Sequence, residues 1–147
     1  MAIVVHLRAS VTRKRPYGAK EARVFLTDVL GEAGQVPVQI AHLCGAGDYD
    51  PATDEALGVF ADAIAKHDSR MAHVYFDVSG ITTIDSKENR ERIASRIRQL
   101  GLQRVLFGSD GATPGNSPRE YWTRFRRLPL TDAEFRRIEE NIAPHMK

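Results

Sequence analysis

Apolar residues come along this chain in short runs that end on a polar group. Ile3-Val-Val-His6, Val38-Gln-Ile-Ala-His42, Val74-Tyr-Phe-Asp77 and Arg104-Val-Leu-Phe-Gly-Ser-Asp110 each read as a strand. Their boundaries are expected at 2–6, 38–42, 73–78 and 104–110. Between them the apolar spacing changes to that of a helix. Ala22, Phe25, Leu26, Val29 and Leu30 form one stripe, Leu57, Phe60, Ala61 and Ile64 a second, and Ile93, Ile97 and Leu100 a third. Tyr121, Trp122 and Phe125 give a later helix an aromatic face, and Phe135 and Ile138 mark a last one. Start signals agree with this division: Asp50-Pro51, Asp85 or Ser86, Ser117-Pro-Arg-Glu120 and Thr131-Asp-Ala-Glu134 each suit a helix N-terminus. Gly31, Gly34 and Gly101 suit helix ends, and the tail from Pro144 is expected to fray.

Strands that alternate with helices must run parallel, because each return to the sheet needs a crossover. The polar strand ends at 6, 42, 77 and 110 recur about every 35 residues, near the roughly 30 residues of one βα unit in an eightfold barrel. A doubly wound sheet would be apolar on both faces. Here His42, Tyr75, Asp77 and Asp110 interrupt one of them, which favours a segment of a barrel. The expected fold is therefore α/β: a single domain over residues 1–147, built as a parallel (βα)4 segment of a TIM-like barrel with extra C-terminal helices. If His6, His42 and Asp110 point to the barrel axis, strand parity sends Val4, Val38, Ile40 and Leu106 there too. Those side chains would then need a cover, either a second copy of the chain in a homo-oligomer or a separate N-terminal half barrel. The first strand begins almost at Met1, with so little lead-in that a preceding segment is expected.

Composition narrows the setting. The chain has 147 residues, a net charge of +2, and no apolar run near the about 18 residues a spanning helix needs, so no membrane partner and a cytoplasmic location are expected. Its one cysteine, Cys44, has no disulfide partner within the chain and reads as a packing residue. Arg13, Lys14 and Arg15 form a short basic run, and Arg119, Arg124, Arg126 and Arg127 lie on a C-terminal helix. Acidic residues are interspersed and no nucleic-acid motif accompanies them, so a solvated surface is expected rather than a nucleic-acid site.

The candidate chemistry lies at the strand ends. His6, Gln39-Ile-Ala-His-Leu43, Phe76-Asp-Val-Ser79 and Leu106-Phe-Gly-Ser-Asp110 resemble the second half of an amidohydrolase-related metal-dependent barrel, and the pattern from Leu130 to Ile142 is similar to the short helix that follows the last strand of such barrels. On that resemblance the chain is a parallel (βα)4 half of a TIM-like barrel, its four strands corresponding to barrel strands five to eight and the N-terminal half of the family barrel being absent. It implies a divalent metal, most often zinc, with His6 and His42 as ligands. Asp110 would be both a ligand and the acceptor of a proton from activated water, and His42 would also polarise the bond under attack. Neutral imidazole suits zinc, and a bound metal lowers the pKa of water from about 15.7 toward 7. Arg8 would orient a carboxylated small-molecule substrate through its guanidinium fork. Hydrolysis, or else decarboxylation, is the reaction the family implies. One departure stands out: the His-X-His pair of the family's first strand has no counterpart in this sequence. Asp77 and Ser79 read as supporting residues behind the ligands. Two other readings stay open: a non-catalytic binding or assembly module on a truncated amidohydrolase scaffold, and a doubly wound domain that takes an anion at the turn from Gly45 to Gly47.

Overall fold

The computed structural model describes residues 1–8, 17–45, 49–81, 86–111 and 117–146. The basic run Arg13, Lys14 and Arg15, the turn residue Gly47, the alternative cap Asp85, the turn at 112–116 and Lys147 lie outside the described residues.

Among the described residues the protein is α/β with a four-stranded, all-parallel sheet in the order β1-β2-β3-β4, formed by Ile3–Val5, Val38–Ile40, Val74–Asp77 and Val105–Leu106. The strand order never reverses, as it would in a doubly wound sheet. A first helical run begins as α1 (Ala19–Val24), widens to a π-helical turn over Phe25–Val29 and finishes as α2 (Leu30–Ala33). It is followed by α3 (Pro51–Ala65), α4 (Lys87–Leu100), α5 (Pro118–Phe125) and α6 (Asp132–Glu139).

The caps explain where the later helices begin. Asp50 accepts from the Thr53 N–H at 2.7 Å, with Pro51 in the first turn of α3, and Ser86 accepts from the Asn89 N–H at 3.3 Å. Thr131 and Glu134 exchange hydrogen bonds in a full capping box. At Ser117 the box is altered: its oxygen takes the Glu120 N–H at 3.4 Å, while its hydroxyl donates to the Glu120 carboxylate. At the C-terminal end of the described residues Pro144–Met146 forms a 3-10 turn.

Register sorts the sheet into two faces. Ile3, Val38 and Val74 are in register, as are Val5, Ile40, Phe76 and Val105, and they share one face. That face carries the core. Phe60 of α3 lies 5.7 Å from Phe76 and 6.5 Å from Phe25, and α3 packs between α1 and α4. Val4, Gln39 and Tyr75 line up on the opposite face, with Asp77 beside Leu106. Here α6 and the residues after it cover the β4 side, leaving a hollow of about 250 Å³ among Tyr75, Gln103, Leu106, Arg137, Asn141 and Ile142.

This arrangement corrects the parity expected from sequence. Val38 and Ile40 do not share the face of His6. They are buried under the helices, at 3% and 0% exposure. Alternation stops at Ile40, since His42 and Leu43 adopt left-handed backbone angles (φ 55, ψ 35 and φ 46, ψ 47) that turn the His42 side chain independently of the strand. Leu106 lies on the expected face but is already buried. Only Val4, at 48% exposure, is left for an outside cover.

At the N-terminal end of the sheet Arg104 acts as a clamp. Its Nη1 donates to the carbonyls of Met71 and, at 3.2 Å, Val74, joining the start of β4 to the turn and strand before it. Near the opposite end Phe107 stacks against Tyr121, Trp122 and Phe125, with ring centroids 5.9, 4.8 and 5.6 Å away. This places the aromatic face of α5 against the segment that leads to Asp110.

Candidate functional site

Parallel strands in sequential order deliver their C-terminal ends to one rim, and the polar strand endings gather there. His6 is exposed just after β1. His42 follows β2, Asp77 closes β3, and Asp110 stands four residues past β4 with φ 54. The His6 and His42 rings are 4.9 Å apart at their centroids and inclined by 55°. A Cβ built on Gly80 would lie 3.1 Å from His42 Nδ1 and 3.3 Å from Asp110 Oδ2, so the two side chains flank the same glycine. Gly80 has φ 63 and no side chain to fill that position. The structure thus brings His6, His42 and Asp110 together; Arg8 is exposed two residues beyond His6.

Behind the rim lies a network centred on Asp77, which is only 5% exposed. Its Oδ1 accepts from the His42 N–H at 3.0 Å, the Ser79 N–H at 3.1 Å and the Ser79 hydroxyl at 2.5 Å, and its Oδ2 accepts from Gln39 Nε2 at 2.8 Å. Four donors around one carboxylate satisfy a charge that would otherwise be costly at this depth. They also hold the left-handed turn at His42. The Gln39 Oε1 on the other end of the amide is buried without a partner among the described residues.

Tyr121 supports the same loop from below. Its hydroxyl donates to the Val78 carbonyl and accepts from the Ile81 N–H at 3.1 Å, bridging both sides of Ser79 and Gly80. Burial, chiefly, pushes this phenol well above the ordinary tyrosine range, so it remains a neutral donor. Cys44 is fully buried, and burial likewise drives its thiol far above its usual value. An inert packing role follows.

Two imidazoles and a carboxylate are donor types that suit a catalytic zinc site. As placed, no group of three or more His, Cys, Asp or Glu among the described residues is arranged to hold a metal ion. The donor chemistry suits a metal, and the placement falls short of a ligand group. Gly45, the first residue of the turn read as an anion-site candidate, is buried. No helix among the described residues is long and apolar enough to cross a membrane.

Sequence reasoning found the three rim residues but not the full role of those behind them. Asp77 and Ser79 were legible only as supporting residues behind the ligands. Gln39 joins them only through the register of β2 with β3, and Gly80 only through its close approach to two side chains. Compared with known proteins, the chain matches no family model, no curated protein and no solved structure.

Proposed function

We propose that this chain is a four-unit half barrel of amidohydrolase type whose rim serves a metal-dependent hydrolase acting on a small carboxylated or carbonyl substrate. The observation that carries the reading is the convergence of His6, His42 and Asp110 on one rim, with His42 and Asp110 flanking Gly80. The unreversed strand order, with the core helices packed on one face of the sheet, suits a barrel segment. In this reading His6 and His42 supply neutral imidazole ligands and Asp110 supplies a carboxylate. A bound zinc ion would lower the pKa of a water enough to make it a nucleophile near neutral pH. Asp110 Oδ2 is the proton acceptor on this chain, His42 polarises the scissile group, and Arg8 orients the substrate carboxylate. The remaining ligands come from the other half of the barrel, supplied by a second copy or a separate N-terminal half.

A second reading, a non-catalytic binding or assembly module, is favoured by the lack of a closed group of three ligands among the described residues. Metal analysis separates the two. The hydrolase reading expects stoichiometric zinc in the purified protein, lost in His6→Ala and in Asp110→Ala with thermal stability otherwise retained. Metal-free protein whose melting is indifferent to both zinc and chelator would leave the module.

A further inference from the structure

We propose that Asp77 and Ser79 are positioning residues that hold His42 as its Nδ1–H tautomer and so keep Nε2 as the ring's free lone pair. His42 Nδ1 lies 2.7 Å from the Ser79 carbonyl oxygen and 3.1 Å from Ser79 Oγ. The carbonyl can only accept. The hydroxyl has a single hydrogen, already directed to Asp77 Oδ1 at 2.5 Å, and a carboxylate that also receives two backbone N–H groups and the Gln39 amide has none to return. Nδ1 therefore faces two acceptors and carries the proton. A ring turned over by 180° would set a carbon against both of them.

The geometry is held at both ends by the same carboxylate, since Asp77 Oδ1 fixes the backbone of His42 and that of Ser79. Gly80 permits the approach, its missing Cβ leaving room for the Nδ1 to Cε1 edge of the ring. Nε2 makes no hydrogen bond among the described residues. An imidazole fixed through one nitrogen presents the other as a ligand or base of defined orientation. The inference deepens the hydrolase reading, on which the use of Nε2 rests, but the tautomer itself can be measured without activity or metal.

The test is long-range proton–nitrogen correlation on the ¹⁵N-labelled full chain, in chelator, at a pH where imidazoles are neutral. The His42 signals are assigned by their loss in His42→Gln. The expected spectrum has a protonated Nδ1 and a bare Nε2. Asp77→Ala should move both nitrogens toward averaged positions, because the Ser79 hydroxyl hydrogen then has no carboxylate to take it and is free to turn to the ring. Should Asp77→Ala fail to fold, Ser79→Ala takes its place, with a smaller shift in the same direction expected. A wild-type ring protonated at Nε2, or variant rings identical to wild type, overturns the proposal. Zinc added afterwards distinguishes the two claims: an Nδ1–H ring whose Nε2 signal ignores zinc sustains the positioning role and removes the metal reading.

Discussion

Gly80 shows how much the rim depends on a single residue. Its φ of 63 lies where a side chain costs about 1–2 kcal/mol, and the Cβ would also press on His42 and Asp110 at 3.1 and 3.3 Å. Gly80→Ala is expected to lower stability by at least about 1 kcal/mol in denaturant unfolding, and to shift the His42 ring signals. A variant as stable as wild type with an unmoved ring would mean the loop relaxes freely. Nothing in the sequence distinguishes this glycine from the other ten. His6, His42 and Asp110 could be read because a polar residue that closes an apolar run is visible in one dimension. Gly80 and Gln39 become meaningful only when the chain brings distant residues beside them.

Among the elements, helix positions were legible and strand lengths were not. Caps and apolar stripes are local, so α3, α4 and α6 begin where Asp50, Ser86 and Thr131 indicate. β2 ends at Ile40 because left-handed backbone follows at His42 and Leu43, and β4 pairs over Val105–Leu106 alone. The π-helical turn at Phe25–Val29 has no signature in the apolar spacing. Between α3 and α4, Arg96 meets the Asp54 carboxylate through Nε at 2.8 Å and Nη2 at 2.9 Å. The Arg96 hydrogen bonds, above all, hold the Asp54 carboxyl below its ordinary range, with the Tyr49 hydroxyl at 2.6 Å assisting. A carboxyl with a depressed folded pKa stabilises the fold above its unfolded value, about 3.9, and loses that contribution as pH falls through the folded value. Asp54→Asn should therefore cost on the order of 1 kcal/mol at pH 7, allowing for the partial exposure of the pair. The gap from wild type should begin to narrow in melting curves taken below about pH 3.9 and close once the pH is below the folded value. A gap that stays constant with pH would assign the cost to packing.

For the whole molecule, the informative feature is what the sheet leaves open. β1 is an edge strand, and Ile3 and Val4 are 42% and 48% exposed on it. Sequence parity anticipated an uncovered inner face, but α6 and its following residues already bury Leu106, so the open area is confined to the β1 side. An edge of this kind invites pairing with another chain. On the half-barrel reading, light scattering gives a mass above that of one chain, and Val4→Lys brings it down to a single chain without loss of helical signal. A wild-type mass of one chain would exclude the second copy as the cover.

The non-glycine residues with positive φ among those described are His42, Leu43, Cys44, His67 and Asp110. Histidine and aspartate tolerate this region better than most residues, yet glycine would be easier still. Leu43 and Cys44 recover the cost through complete burial. His42 and Asp110 are less enclosed and have no such compensation. Breeding this protein for heat resistance alone would put glycine at 42 and 110, and the hardier descendant would have surrendered the two groups that lie against Gly80.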